Sequence, residues 1–319
     1  LAKDVASRDE HNVASKLKRA IARHFKKTLR LVKSCKNDGS ANVENVHQLR
    51  TSTRRADAAL VLVAEWLPQR RKDRVHKKLK AIRHSAGTVR DLDILCESLD
   101  LLRNQLPKSS AHWLRKRTAA FRLHAIKQLT QKSRRLWKRG LKRRFSAVLT
   151  DLTLSNPLST ADLQLIASTK IRQIADRLFS EIDLFESGEQ HLHQARIWGR
   201  RLRYLNDLLD EVLDDPLIKS VNIELIAMQS LLGYANDRVS VIAFLRARAL
   251  ECGKRRFGWP LRRSIELLDK STMRLVGSAM LQTAGKSAQL RVLINQLCAR
   301  FAPTRPTTNP ADDGFAHVG

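Results

Sequence analysis

Two stretches of this chain repeat each other. His47-Gln48-Leu49-Arg50-Thr51-Ser52-Thr53-Arg54-Arg55 recurs 146 residues later as His193-Gln194-Ala195-Arg196-Ile197-Trp198-Gly199-Arg200-Arg201, with five of nine positions identical. Gly87-Thr88-Val89-Arg90-Asp91 and Gly233-Tyr234-Ala235-Asn236-Asp237 keep the same 146-residue offset. A spacing held without a gap across both motifs limits the chain to two related units with matching element lengths. On a helix, residues i, i+3 and i+7 share a face, so His47, Arg50 and Arg54 form one row and His193, Arg196 and Arg200 another. Two rows of fixed cations point to a polyanion held between related halves.

Composition sets the element type. The 319 residues contain only 12 glycines and 8 prolines, and 43% are hydrophobic, which describes a globular chain rich in helix formers. Sixty Lys+Arg against 31 Asp+Glu give a formal net charge of +29, a self-repulsion that an anionic partner would relieve. The excess is uneven. Residues 1–159 hold 38 basic and 13 acidic side chains, residues 160–319 hold 22 and 18, and residues 101–150 hold no acid at all. The N-terminal half is therefore expected to grip the anion harder.

In chain order, residues 10–34 read as an amphipathic helix with Val13, Leu17, Ala20, Ile21, Phe25 and Leu29 inward. Asn37-Asp38-Gly39-Ser40 reads as a turn. The first motif lies on a helix over 42–67 whose core face is Leu49, Thr53, Ala56, Leu60, Val63 and Leu67. Its basic row sits roughly 125° away, at the margin of the core. A helix from Arg70 buries Val75, Leu79, Ile82 and Ala86, is interrupted at Gly87 and resumes to about Gln105. Lys80, Arg83 and Arg90 share another face of it with His76, and their 146-offset counterparts are Ile226, Gln229 and Asn236, all uncharged. Residues 111–149 read as one long helix or two collinear ones, and 150–158 as a linker. Ser159 to Asp162 reads as a capping box opening a helix to about Phe185. The second motif helix ends near Leu213, and the next is expected to end near Gly233. Separate helices over 259–276 and 287–301 precede a tail, 302–319, expected to be disordered. Gly87, Gly199 and Gly233 are read as permitting close helix contact or a kink.

Several chemistries find no support. Cys35, Cys96, Cys252 and Cys298 form no Cys-x-x-Cys pair, so neither a zinc site nor a disulfide scaffold is expected, and reduced thiols place the chain in the cytosol. No apolar run is long enough to cross a bilayer and no secretory signal is visible. No nucleophile constellation, phosphate-cradling glycine loop or acidic metal motif is present. The expectation is a binding protein, not an enzyme, without metal or cofactor. Asp91, Asp93 and Asp237 are read as orienting nearby arginines. The histidines are read two ways, as orienting an arginine or as touching the ligand. Arginine's planar fork matches phosphate oxygens, so the rows read as a phosphate grip. The acid-free stretch leaves a nucleic-acid surface as the alternative, although aromatic residues, at 5%, are not interleaved with the basic ones as stacking platforms require.

The pattern His-x-x-Arg-x-x-x-Arg-Arg, followed by Gly-x-x-Arg-Asp-x-Asp, resembles the conserved-histidine α-helical domain, or CHAD, family over residues 10–300. So does the second copy, from His193 to Tyr204 with Leu232 to Asp237. The resemblance implies an all-α fold of two tandem four-helix bundles, residues 10–150 and 159–301, related by a pseudo-twofold axis around a basic central cavity. It also implies binding of inorganic polyphosphate, with an association with polyphosphate granules; a granule scaffold acting through protein contacts is a further alternative. Carried over residue by residue, it marks His47, Arg50, Arg54, Arg55, Lys80 and Arg90 in the first half. In the second it marks His193, Arg196, Arg200, Arg201 and Arg203; Arg83 joins the expected site through its row. Thr51 and Asn236 depart from the family pattern. No Glu-x-Glu-x-Lys motif occurs, so the triphosphatase activity of some fused relatives is not inferred.

Overall fold

Helix α1 (Ala2–Cys35) turns one apolar edge to the rest of the chain. Val13, Leu17, Ala20, Ile21 and Phe25 are buried along it, and Phe25 stacks on Phe145 with ring centroids 4.1 Å apart. The structure is a computed structural model that describes residues 2–37, 41–102, 104–154, 159–252 and 258–302. Residues 38–40 of the expected turn at 37–40, residues 155–158 of the expected linker and the tail beyond 302 lie outside these residues, while 150–154 of that linker are helical instead.

Helix α2 (Val43–Leu62) opens at Asn42, whose side chain accepts the Asn45 amide at 2.7 Å. All six residues of its predicted core face are buried. The helix nevertheless ends five residues earlier than expected. Pro68 forces the residue before it out of the helical region, so the backbone tightens into a 3-10 turn at Ala64–Trp66 and becomes extended at Leu67 (φ −115°, ψ 139°). Pro68 then leads into α3 (Gln69–Leu101), which buries Val75, Leu79, Ile82 and Ala86.

Three expected breaks are absent. Helix α3 runs through Gly87 without interruption, and α8 (Pro216–Cys252) runs through Gly233. The two expected C-terminal helices are one, α9 (Gly258–Arg300). A glycine inside a helix costs only about 1 kcal/mol, and burial on both sides outweighs that. In α9, Val276, Ala279, Thr283 and Leu290 carry the buried face across Gly277 and Gly285. By contrast, residues 108–154 do divide, into α4 (Lys108–Lys138) and α5 (Leu141–Leu154). The separator is Gly140 in the left-handed region (φ 71°), where a side chain would be strained.

In the second half, α6 (Thr160–Asp183) begins with the predicted capping box, Ser159 and Asp162 bonding each other's amides. Helix α7 (Glu189–Leu213) follows Gly188 and stops at Asp214, itself left-handed (φ 51°). No strand occurs among the described residues.

Consecutive helices other than α5 and α6 pack on one another, and α7 packs across both α1 and α2, so the two motif helices touch. The larger core extends from Val13 to Phe301 and draws on both halves of the chain. A smaller core joins Leu95, Leu99 and Leu114 to Val241, Leu245 and Leu261, binding the ends of α3 and α4 to those of α8 and α9. Gly199 lets α7 and α8 approach closely, since an added Cβ would run into the Gln229 side-chain amide. Gly87 and Gly233 make no such approach.

Where α1 and α2 meet α7, the contact is polar. Arg55 pairs with Asp207 (3.5 Å), Arg23 with Glu211 (3.2 Å), and the buried His24 places Nε2 3.4 Å from Glu211. Burial, reinforced by Arg55, Arg23 and Lys27, pushes His24 down from 6.5 to about 4. Between those values the unfolded chain takes up a proton that the folded chain refuses. The contribution is therefore complete above pH 6.5 and lost as pH falls toward 4, by up to about 3 kcal/mol. Asp207 and Glu211, whose carboxyls burial raises, oppose this at the acidic end. Urea unfolding of His24→Gln should show a shallower stability loss between pH 6.5 and about 5 than the parent; an unchanged slope would remove His24 as the source.

Candidate anion-binding cavity

A cavity of about 920 Å³ lies between the two cores, walled by α2, α3, α4, α7 and α8. Seven arginines (Arg50, Arg54, Arg90, Arg196, Arg200, Arg203 and Arg248) and two aspartates (Asp91 and Asp237) line it. Both predicted rows face it. His47 and His193 are the exposed members of the rows, and Arg54 and Arg200 the enclosed ones.

The outer arginines are held in matching ways. Arg50 donates to Asp91 at 2.9 Å, and Arg196 to Asp237 at 3.2 Å. These two ion pairs are equivalent under the 146-residue offset. Arg50 also reaches the Gly87 carbonyl at 3.4 Å. On the other side a Cβ at Gly233 would stand 3.9 Å from Arg196 Nε, so each glycine sits beside the arginine of its own half. The third aspartate behaves similarly, with Arg122 donating to buried Asp93 at 2.6 Å. The halves differ at the next position. Arg90 donates to Glu97 (3.1 Å), whereas its counterpart Asn236 bonds His193 Nδ1 (2.8 Å). That bond gives one histidine an orienting partner, while His47 has none among the described residues.

The inner pair is under electrostatic stress. Burial, then the neighbouring Arg50, lowers Arg54 to about 10, opposed by its hydrogen bond to Tyr204. Burial, then Arg54, Arg196 and Arg50, lowers Arg200 to about 8. Burial raises the Tyr204 hydroxyl, but Arg54, Arg203 and Arg200 outweigh it and bring the group below its ordinary value. Guanidinium keeps its proton in proteins, so the stress is borne as repulsion between charged arginines rather than relieved as neutral arginine. Arg200 has no carboxylate or hydrogen-bond partner among the described residues.

Four expected site residues lie elsewhere. Arg55 turns away from its neighbour Arg54, as adjacent helical positions must, and pairs with Asp207. Arg83 is bound to Asp57 (3.0 Å), which also holds His76 (2.6 Å). Arg201 stacks on Trp198 at 4.2 Å, and Lys80 is exposed on α3 outside the cavity lining. Conversely, the cavity includes Phe121, His124 and Gln128 of α4 and Phe244 and Arg248 of α8, none expected. The i, i+3, i+7 spacing of the first three was a usable signal, since it is the spacing of the motif rows. Arg248 lies over both Phe121 (5.1 Å) and Phe244 (5.3 Å). No cluster of three or more His, Cys, Asp or Glu suited to a metal occurs among the described residues, and no described helix is long and apolar enough to cross a membrane.

An all-helical chain with an arginine-lined cavity is the class these features define. The family model for the CHAD domain matches residues 19–246, and the chain belongs to that family. In fold it is similar to the crystal structure of the CHAD domain from the plant Ricinus communis, at 18% identity and a TM-score of 0.57, over 90% of this chain and 92% of that one. It also matches PptA from Streptomyces chartreusis at 18% identity and a TM-score of 0.48, over 91% and 98% of the respective chains. A comparison with curated protein sequences returns no match.

Because Arg200 is enclosed, crowded and unpaired, its charge should destabilise the empty protein. Arg200→Met is expected to raise the unfolding free energy by about 1–3 kcal/mol in an anion-poor buffer. The gain should shrink when a polyanion that occupies the cavity is added, because the parent then gains more from binding than the variant does. Thermal denaturation in the two buffers makes the comparison, and a less stable variant in both would show that Arg200 is compensated.

Proposed function

We propose that this protein binds inorganic polyphosphate in the arginine-lined cavity and acts by holding the chain, not by transforming it. The observation that carries this reading is the pair Arg54 and Arg200, enclosed side by side without a carboxylate between them. Membership of the CHAD family supports it. A linear polyphosphate presents anionic oxygens along its whole length, so successive phosphates would engage the row from Arg50 to Arg54 and the row from Arg196 to Arg200 together. Tethered contacts of this kind give avidity without one dominant bond. His47 and His193, at the exposed ends of the rows, would meet the chain where it enters. In this reading the motif-bearing halves, 10–150 and 159–301, are the two jaws of one grip, and the cellular role is retention at cytoplasmic polyphosphate granules.

The test is competition at fixed ionic strength, with labelled long-chain polyphosphate challenged by duplex DNA, RNA and ATP at equal phosphate concentration. Polyphosphate itself should displace the label and duplex DNA should not; displacement by duplex DNA would favour a general nucleic-acid surface instead. Charge-assisted hydrogen bonds contribute about 1.5–3 kcal/mol each, so Arg54→Ala with Arg200→Ala should weaken binding by roughly two to four orders of magnitude. Lys116→Ala with Lys127→Ala, on the exposed face of acid-free α4, should cost less than about tenfold if only long-range charge is removed.

A further inference from the structure

A second concentration of cations lies where the start of α3 meets the α4–α5 corner. Two adjoining hollows share Arg143 and Arg144. One, of about 250 Å³, is lined by Arg70, Arg71 and Arg74. The other, of about 600 Å³, is lined by Lys78, Lys138 and Arg139. No acidic and no aromatic side chain lines either hollow. Asp151, the nearby carboxylate, is bound by Arg71, which also donates to the Ala147 carbonyl at 2.9 Å. The Arg144 Nε is buried and has no partner among the described residues. Burial, then Arg139, Arg144, Lys77 and Lys132, pushes Lys78 below its ordinary value. The left-handed turn at Gly140 is what brings the end of α4 and the start of α5 together over α3.

This groove is separate from the central cavity. From Arg74 to Arg90 is sixteen residues of continuous helix, about 24 Å at ~1.5 Å per residue. Its shape also narrows the choice of ligand. Cations converging into small hollows suit a narrow chain that can enter them, whereas a duplex is too broad. With no aromatic wall there is nothing on which a single-stranded base would stack.

We propose that the α3–α5 groove is a second oligophosphate site, which engages a further segment of the same class of polyanion. The identity of the ligand rests on the polyphosphate reading above; the existence of the groove as a second anion site does not. A short probe separates the two sites because it cannot reach across both. Calorimetric titration of the whole chain with tripolyphosphate should show two classes of site. Arg143→Ala with Arg144→Ala should remove one class and leave the other at its parental affinity. Arg70→Ala with Arg74→Ala, on α3, should do the same without disturbing the α4–α5 corner, and Arg54→Ala with Arg200→Ala should remove the complementary class. One class in the parent that survives both groove variants overturns the groove while leaving the cavity reading intact. No tripolyphosphate binding in any variant overturns the polyphosphate reading itself. A short duplex DNA that competes for the groove as well as tripolyphosphate does, at equal phosphate concentration, would reassign the groove to nucleic acid and also defeat the proposal.

Discussion

Everything in the central site follows from placing like charges close together out of water. Arg54 and Arg200 repel one another, and burial removes the solvent that would screen them. Such an arrangement survives only where the surrounding packing holds it, because no carboxylate has been supplied to relieve it. The chain does supply carboxylates to Arg50 and Arg196, one step outward on each row. The site is thus graded, with carboxylate-paired cations toward the entrance and the inner ones, which have no carboxylate, under most stress. The outer groups have their orientation already fixed, so on the proposed function little ordering would remain to be done on binding.

The scaffold achieves this by keeping its rods long. Helices α3 and α8 each carry an aspartate of the site, and both pass through a glycine near that point without breaking. A kink there would have moved Asp91 and Asp237 away from the arginines they hold. Packing of α7 across α1 and α2 fixes the spacing of the two rows. That contact is itself partly ionic, through Arg55 with Asp207 and His24 with Glu211. Neighbouring arginines of one motif therefore divide the labour, with Arg54 toward the cavity and Arg55 toward the framework.

Much of this was legible in the sequence, and the exceptions have physical causes. The inward faces of α1, α2 and α3 follow from helical periodicity, and the capping box at Ser159 from residue type alone. The pairing of Asp91 and Asp237 with arginine was readable from the scarcity of acid. What periodicity cannot weigh is a glycine inside a well-buried helix. Its local cost suggests a break, but the packing that outweighs it at Gly87, Gly233 and Gly277 is tertiary. The same limit explains Arg55, Arg83 and Arg201, which belong to basic runs yet are claimed by Asp207, Asp57 and Trp198 respectively, from other turns or other helices. Phe121 enters the cavity from α4, which carries no motif, and Phe244 and Arg248 enter from α8 beyond its Gly233–Asp237 motif, so the motifs could not reveal them.

The cavity lies between two apolar cores of very different size, and this has a mechanical meaning. On one side the larger core draws on helices from the whole chain; on the other only the ends of α3, α4, α8 and α9 are fastened together, through residues such as Leu99, Leu114, Leu245 and Leu261. The smaller fastening is the weaker clasp, and local opening follows the region with the least buried apolar contact. On the proposed function, the clasp is therefore where the cavity would part at the least loss of apolar contact, while the large core keeps the two halves in register.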